Sequence, residues 1–222
     1  MIIAIDGPSG AGKSTLAKRL ARELHFVYLD TGAMYRALAW KVLHEGVDLA
    51  DDAKLGVLVR TTEIDLAEQE GDLVVWLDGR DVAGKIRTPE VSQMASKVSA
   101  LKPVRDRMLE LQRAMGRRGN VVAEGRDIGT VVFPQAEIKI FLDASAEERA
   151  RRRYQEIKAA GGAADLVETL REIEERDKRD RERDIAPLRK AEDAWMIDSS
   201  NIDADGVAAR VLAEIQKQKL EN

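Results

Sequence analysis

The residues best suited to chemistry lie at the start of the chain. Ile2-Ile3-Ala4-Ile5-Asp6 is an apolar run, and Gly7-Pro8-Ser9-Gly10-Ala11-Gly12-Lys13-Ser14-Thr15 follows it at once. This is G-x-x-x-x-G-K-S in its required context, a strand before and an amphipathic helix (Leu16, Leu20, Leu24) after. The glycines let the backbone wrap so that successive N–H groups face one concavity, and the positive end of the helix points to the same place. Lys13 can reach the β- and γ-phosphates of a nucleoside triphosphate, and the Ser14 hydroxyl can ligate magnesium. Transfer of a phosphoryl group then needs further cations to hold the reacting anions, and arginine suits that role through its planar, permanently charged fork. Arginines stand at Arg36, Arg126, Arg149, Arg151, Arg152, Arg153, Arg176, Arg179, Arg181 and Arg183. Glu124 could hold magnesium or its waters, or simply cap the turn that follows it.

These side chains need a scaffold, and the sequence supplies an alternating one. Short apolar runs at Ile2–Ile5, Phe26–Leu29, Val121–Ala123, Ile138–Leu142 and Ala194–Ile197 are separated mostly by helical patterns. That alternation predicts an α/β fold, a doubly wound five-stranded parallel sheet. Ligands of such sheets collect beyond the carboxyl ends of the strands, so Asp6, Asp30, Glu124, Asp143 and Asp198, at or just after those ends, mark the functional edge. One stretch, about 63–85, breaks the alternation. Two strand-like runs flank Glu70-Gly71-Asp72, and a second turn falls at Asp78-Gly79, which predicts a small antiparallel β insert. Residues 145–189 read as helical and densely charged, with a capping-box start at Ser145 and Glu148, an interruption at Gly161-Gly162 and a second helix from about Leu166 to Arg183. On that helix Glu172–Arg176, Glu175–Arg179 and Asp177–Arg181 have the spacing of a solvated, salt-bridged face. Arg176, Asp180 and Arg183 share a face that could instead look into a cleft.

Composition narrows the class. With 222 residues, 44% hydrophobic, the chain can bury one full core. It has no cysteine, which excludes disulfides and thiolate chemistry. No signal peptide or membrane-length apolar run is visible, and the expected compartment is the cytoplasm. A net charge of −4 does not favour nucleic acid as a partner. His25 and His44 sit far from any motif and are read as surface or packing residues.

The quoted motifs resemble the bacterial cytidylate kinase family, in the nucleoside monophosphate kinase superfamily of P-loop kinases. The resemblance covers nearly the whole chain. It rests on Ile5–Lys13, on Asp30-Thr31-Gly32-Ala33-Met34-Tyr35-Arg36, on Ile86–Val91, on Gly125-Arg126-Asp127-Ile128-Gly129-Thr130-Val131-Val132-Phe133-Pro134, on Lys139–Ser145 and on Glu175–Arg181. It implies one P-loop kinase domain over 1–222, with a monophosphate-binding lobe at about 31–115 that carries the insert and a helical lid at about 145–185. It implies transfer of the γ-phosphoryl group of ATP to CMP or dCMP, with Mg2+. The chain is expected to act as a monomer on these small molecules, with neither nucleic acid nor membrane as a partner. By the same resemblance ATP would sit on Gly7, Pro8, Ser9, Gly10, Ala11, Gly12, Lys13, Ser14 and Thr15, with magnesium at Ser14 and Glu124. Lys13, Arg126, Arg153 and Arg176 would be the catalytic cations. Ser96, Arg105 and Asp127 would contact cytosine, and Arg176 and Asp180 the sugar region. Thr31, Arg36, Arg126 and Arg183 would surround the acceptor phosphate, with Tyr35 packed nearby. The family often has Ser at the position of Thr31 and Asp at that of Glu124, and both changes keep the chemical group.

The chemistry of the base agrees with that assignment. Cytosine offers an N4 amino donor and acceptors at N3 and O2, which Asp127, Ser96 and Arg105 complement. Uracil reverses N3 and position 4 and would leave buried groups unpaired. A nucleic-acid-dependent ATPase fits poorly with the acidic balance and small size, and two further alternatives share parts of the pattern. A P-loop kinase of another small acceptor, such as UMP, AMP or a shikimate-like compound, would share the scaffold and differ in the acceptor pocket. A GTPase-like switch would use Asp81-Val82-Ala83-Gly84 as D-x-x-G, but no Asn-Lys-x-Asp follows and the match falls inside the insert.

Overall fold

The computed structural model describes residues 1–69, 72–159 and 161–221. The chain divides into two compact units, Met1–Tyr28 with Gly119–Asn222, and Leu29–Arg118. The first is built on a five-stranded parallel sheet of order β2-β6-β1-β7-β8, with strands β1 (Ile2–Asp6), β2 (Val27–Asp30), β6 (Val121–Gly125), β7 (Ile138–Asp143) and β8 (Trp195–Asp198). In register, β1 pairs Ile2 with Val121 and Asp6 with Gly125 on one side, and Ile3 with Ile138 on the other. Ile3, Ile5, Val122, Ala123, Ile140 and Leu142 are buried, the continuous apolar runs that a sheet covered on both faces requires.

Helices α1 (Lys13–Leu24), α6 (Ala146–Ala159), α7 (Leu166–Glu182) and α8 (Ala204–Glu221) complete this unit. The local structure at β2 and at α6 departs from the sequence reading. Phe26 stays outside β2 because His25 adopts a left-handed conformation and the Phe26 N–H bonds back to the Ala21 carbonyl, closing α1. Only half of the capping box forms at α6. The Glu148 N–H bonds the Ser145 hydroxyl at 3.2 Å, while the Glu148 carboxylate turns to Arg151 and Arg152, at 2.8 and 2.9 Å.

The second unit holds α2 (Thr31–Glu45), α3 (Asp52–Thr61), α4 (Pro89–Val98) and α5 (Lys102–Gly116). It also holds the expected insert, an antiparallel sheet of order β3-β4-β5, made of β3 (Ile64–Gln69), β4 (Asp72–Leu77) and β5 (Arg80–Asp81). Asp78 and Gly79 link β4 to β5 with φ of 49° and 76°, the two positive values that a tight primed turn needs. The other turn is expected at Glu70-Gly71, outside the described residues. Asp30 caps α2 by accepting from the Ala33 N–H at 2.8 Å, and Thr88 caps α4 by accepting from Val91 at 3.2 Å. Among the described residues, no helix is long and apolar enough to cross a membrane.

Candidate active site

In the first unit the site grows from the end of β1. Gly7 has φ of 150°, and a Cβ there would lie 1.9 Å from the Leu142 carbonyl oxygen, so only glycine lets the loop leave the sheet so close to β7. Gly12, at φ 93°, turns the chain into α1, whose first turn carries no acidic residue. The positive end of that helix is therefore unopposed by its own side chains. Ser14 and Thr15 are exposed there, and Lys13 is buried.

The Lys13 ammonium donates to the Pro8 carbonyl at 2.6 Å. Burial first, and then the nearby Arg126 guanidinium, push Lys13 down from 10.5 to about 7; Arg176 adds to this, while Glu124 and Asp6 oppose it. Lys13, Arg126, Arg176, Glu124 and Asp6 thus share one electrostatic neighbourhood. Around it, Arg126 donates to Asp180 at 2.9 Å and Arg183 meets Asp127 at 3.4 Å. Burial raises Asp180, but Arg126, Arg176 and Arg183 outweigh it and hold the carboxyl below its ordinary value. The face of α7 that carries Arg176 and Asp180, with Arg183 just past the helix end, is the one that meets Arg126 and Asp127.

Glu124 is buried at the end of β6 and accepts a short hydrogen bond from the Tyr28 phenol. An exposed hydroxyl on Ser14 and a carboxylate on Glu124 are hard oxygen donors suited to magnesium that keeps water and phosphate as its other ligands. Among the described residues, no group of three His, Asp or Glu side chains forms an all-protein cation cage.

The neighbouring arginines of α6 are placed differently. Arg149 is buried and forked onto Asp177, with Nη1 at 3.2 Å and Nη2 at 2.6 Å; it also donates to the carbonyls of Ala144 and Ser9. It therefore ties α6 and α7 to the phosphate loop. Arg152 bonds Ser199, whose hydroxyl donates to the Ala11 carbonyl at 3.0 Å, a second strut under the same loop. Arg153 pairs with Glu156 at 3.1 Å on a partly exposed face, and the structure does not bring it to Lys13. Asp177, read as half of a surface pair with Arg181, lies 3.9 Å from that partner and gives its short contact to Arg149.

The second unit carries the remaining candidates. Arg36 bonds the Asp30 carboxylate at 3.0 Å, one turn from Thr31. The Arg105 guanidinium lies 5.8 Å from the centre of the Tyr35 ring, a cation–π distance. The Ser96 hydroxyl and the Arg36 Nε are buried and have no hydrogen-bond partner among the described residues. Buried polar atoms left so are costly unless a ligand satisfies them.

A family model described as cytidylate kinase matches residues 3–217. The chain belongs to the cytidylate kinase family. A cytidylate kinase of Pelotomaculum thermopropionicum is 52% identical over 220 residues, covering 99% of this chain and 97% of that one. One from Syntrophotalea carbinolica is 51% identical over 219 residues, covering 99% and 93%. A crystal structure of an uncharacterized protein from Eubacterium ventriosum, 15% identical and covering 97% of this chain and 98% of that one, superposes with a TM-score of 0.53 and shares the fold. In this cytidylate kinase family member, sequence reasoning missed Tyr28, Arg149 and Asp177 as supports of the site. Asp177 carried no legible signal, because its partner lies 28 residues away.

Proposed function

We propose that the chain transfers the γ-phosphoryl group of ATP to CMP or dCMP, giving ADP and CDP or dCDP, and that its candidate residues divide the work as follows. The phosphate loop, Gly7 to Thr15, holds the donor phosphates. Lys13 leaves the Pro8 carbonyl for the β- and γ-phosphate oxygens. Arg126, Arg176 and Arg183 neutralise the acceptor phosphate and the transferring group, with Arg153 as a further cation brought by the helical lid at about 145–185. The acceptor phosphate is already an oxyanion, so the attacking oxygen needs no general base; positioning and charge carry the catalysis. Magnesium, held by Ser14 and Glu124, would add charge neutralisation on the donor phosphates when bound.

The observation that carries this reading is the crowding of Lys13 by Arg126 and Arg176. Basic groups whose charges repel one another around the buried Lys13 favour a polyanion there. The acceptor side is assigned to Thr31, Tyr35, Arg36, Ser96 and Arg105 of Leu29–Arg118, read as the monophosphate-binding lobe, together with Asp127 and Asp180. The buried Ser96 hydroxyl and Arg36 Nε support that assignment, since a bound nucleotide would satisfy both. We place the protein in the cytoplasm on its cysteine-free composition and its nucleotide substrates, and read it as a monomer.

The test is ADP release with CMP, dCMP, UMP, AMP and shikimate as acceptors, in the native protein and in Asp127→Ala. The cytidine nucleotides should lead. A charged hydrogen bond in a dry pocket is worth about 1.5–3 kcal/mol, so Asp127→Ala should lower the CMP-over-UMP ratio of kcat/KM by roughly 10- to 100-fold. Preferred turnover of AMP or shikimate by the native protein would overturn the reading.

A further inference from the structure

Asp127 precedes a π-type turn over residues 128–132, in which the Val132 N–H bonds the Asp127 carbonyl at 3.1 Å and the Phe133 N–H bonds the Ile128 carbonyl at 2.7 Å. An Asp at the start of a helical turn ordinarily caps the first N–H groups with its own side chain. Here the Asp127 side chain makes no such cap and meets Arg183. The cap comes from another strand. Asp6, buried at the end of β1, accepts from Ile128 N–H at 2.7 Å with Oδ1 and from Gly129 N–H at 2.8 Å with Oδ2. Both of its oxygens are engaged by a segment more than 120 residues away in sequence. Gly129 fits the arrangement, since a Cβ there would lie 3.1 Å from the Lys139 side chain and 3.4 Å from Asp6 Oδ2.

We propose that Asp6 is a positioning residue for acceptor selection: by capping the 128–132 turn from β1, it keeps the Asp127 carboxylate off the Ile128 and Gly129 N–H groups and turned toward Arg183 and the acceptor base. Asp6 touches neither substrate. It acts through Asp127, and the inference rests on the reading that Asp127 receives the cytosine amino group. Because Asp6 is also the residue before the phosphate loop, one carboxylate ties the start of the donor loop to the residue that reads the acceptor. If the cap is removed, the nearest replacement for the two N–H groups is Asp127 itself, which would then turn away from the base.

The experiment uses the full chain with Asp6→Asn, Asp127→Ala and the double variant. Asparagine is isosteric and keeps one acceptor, but its amide presents a donor to the second N–H. Asp6→Asn should lower the CMP-over-UMP ratio of kcat/KM by about tenfold, the worth of one charged hydrogen bond, with the change in the KM for CMP. In the double variant the ratio should fall no further than in Asp127→Ala, because the two act in series. A residue that only supports the fold would slow CMP and UMP alike. If Asp127→Ala lowers the ratio and Asp6→Asn does not, the inference is overturned. If Asp127→Ala itself leaves the ratio unchanged, the base-reading role falls, and amide exchange decides the cap. Exchange at Ile128 and Gly129 should then be faster in the double variant than in Asp6→Asn, where Asp127 takes over. Equal exchange in the two overturns the inference.

Discussion

The Arg149–Asp177 pair gives the sharpest contrast between a surface reading and a buried one. The side chains are 3% and 6% exposed, so solvent screens their attraction little. Changing Asp177 to Asn leaves the Arg149 charge buried, with the carbonyls of Ala144 and Ser9 as neutral acceptors. Breaking one side of such a pair costs about 3–5 kcal/mol, and the retained carbonyls and the Asn oxygen put the expected loss near the lower end, about 3 kcal/mol. In a chain of this size each kcal/mol lowers Tm by about 2–4 °C, which predicts a fall of roughly 6–12 °C. Replacing both partners, Arg149→Met with Asp177→Leu, should recover most of that stability, since a well-packed apolar pair removes two desolvated charges. It should not recover the donor side. Arg149 also holds the Ser9 carbonyl, so the KM for ATP should stay raised in the double variant. Urea titration followed by circular dichroism, with initial rates against ATP, reads both effects. A loss below about 1 kcal/mol in Asp177→Asn, the range of an exposed i,i+4 pair, would refute the reasoning.

Lys13→Ala should fold normally yet lose turnover by at least about 100-fold, because the charge on the transferring group is no longer met; near-normal turnover would contradict the loop assignment. Amide exchange across 145–159 and 161–189 should slow when ATP and CMP bind together, as arginines there gain phosphate partners, and unchanged protection would count against a closing lid. Burial, opposed by the N–H groups of Gly129 and Ile128, raises Asp6 from 3.8 to about 6. The folded protein therefore holds that proton more tightly than the unfolded chain, and the contribution of Asp6 to stability falls as pH rises from about 4 to 6, by roughly 3 kcal/mol in all. Relative to the native protein, Asp6→Asn should gain up to that amount between pH 4 and 7 in denaturant titrations, and a gap independent of pH would remove the argument.

The strands were legible because parallel strands buried on both faces read as near-continuous apolar runs, as Ile2–Ile5 does and as Ile138–Leu142 does apart from Lys139. The insert was legible through Asp78-Gly79, whose two positive φ values few other dipeptides accept. The phosphate loop was legible because its glycines answer a steric demand visible at Gly7. What stayed hidden were partners that no local pattern names. Asp177 sits among acids and bases at helical spacing, and nothing in that spacing reveals that Arg149 covers it. Asp6 reads as the last residue of a strand, and its two partners are backbone N–H groups, which leave no trace in side-chain composition. The Glu148 carboxylate, placed to close a capping box, found two guanidinium groups nearer.

The strand order β2-β6-β1-β7-β8 also bears on how the protein is made. β1 leaves the ribosome well before both of its neighbours, β6 beginning at Val121 and β7 at Ile138. At about 5–20 residues per second, roughly 6–25 s pass before the first of them is even synthesised. Through that interval Ile2-Ile3-Ala4-Ile5 is an apolar strand with both edges unpaired, the kind of segment that chaperones bind and that aggregates when they do not. Leu29–Arg118, by contrast, is one continuous stretch and can close on itself while the first strand waits. Synthesis speed between β1 and β6 should therefore govern how much of this protein reaches its native sheet.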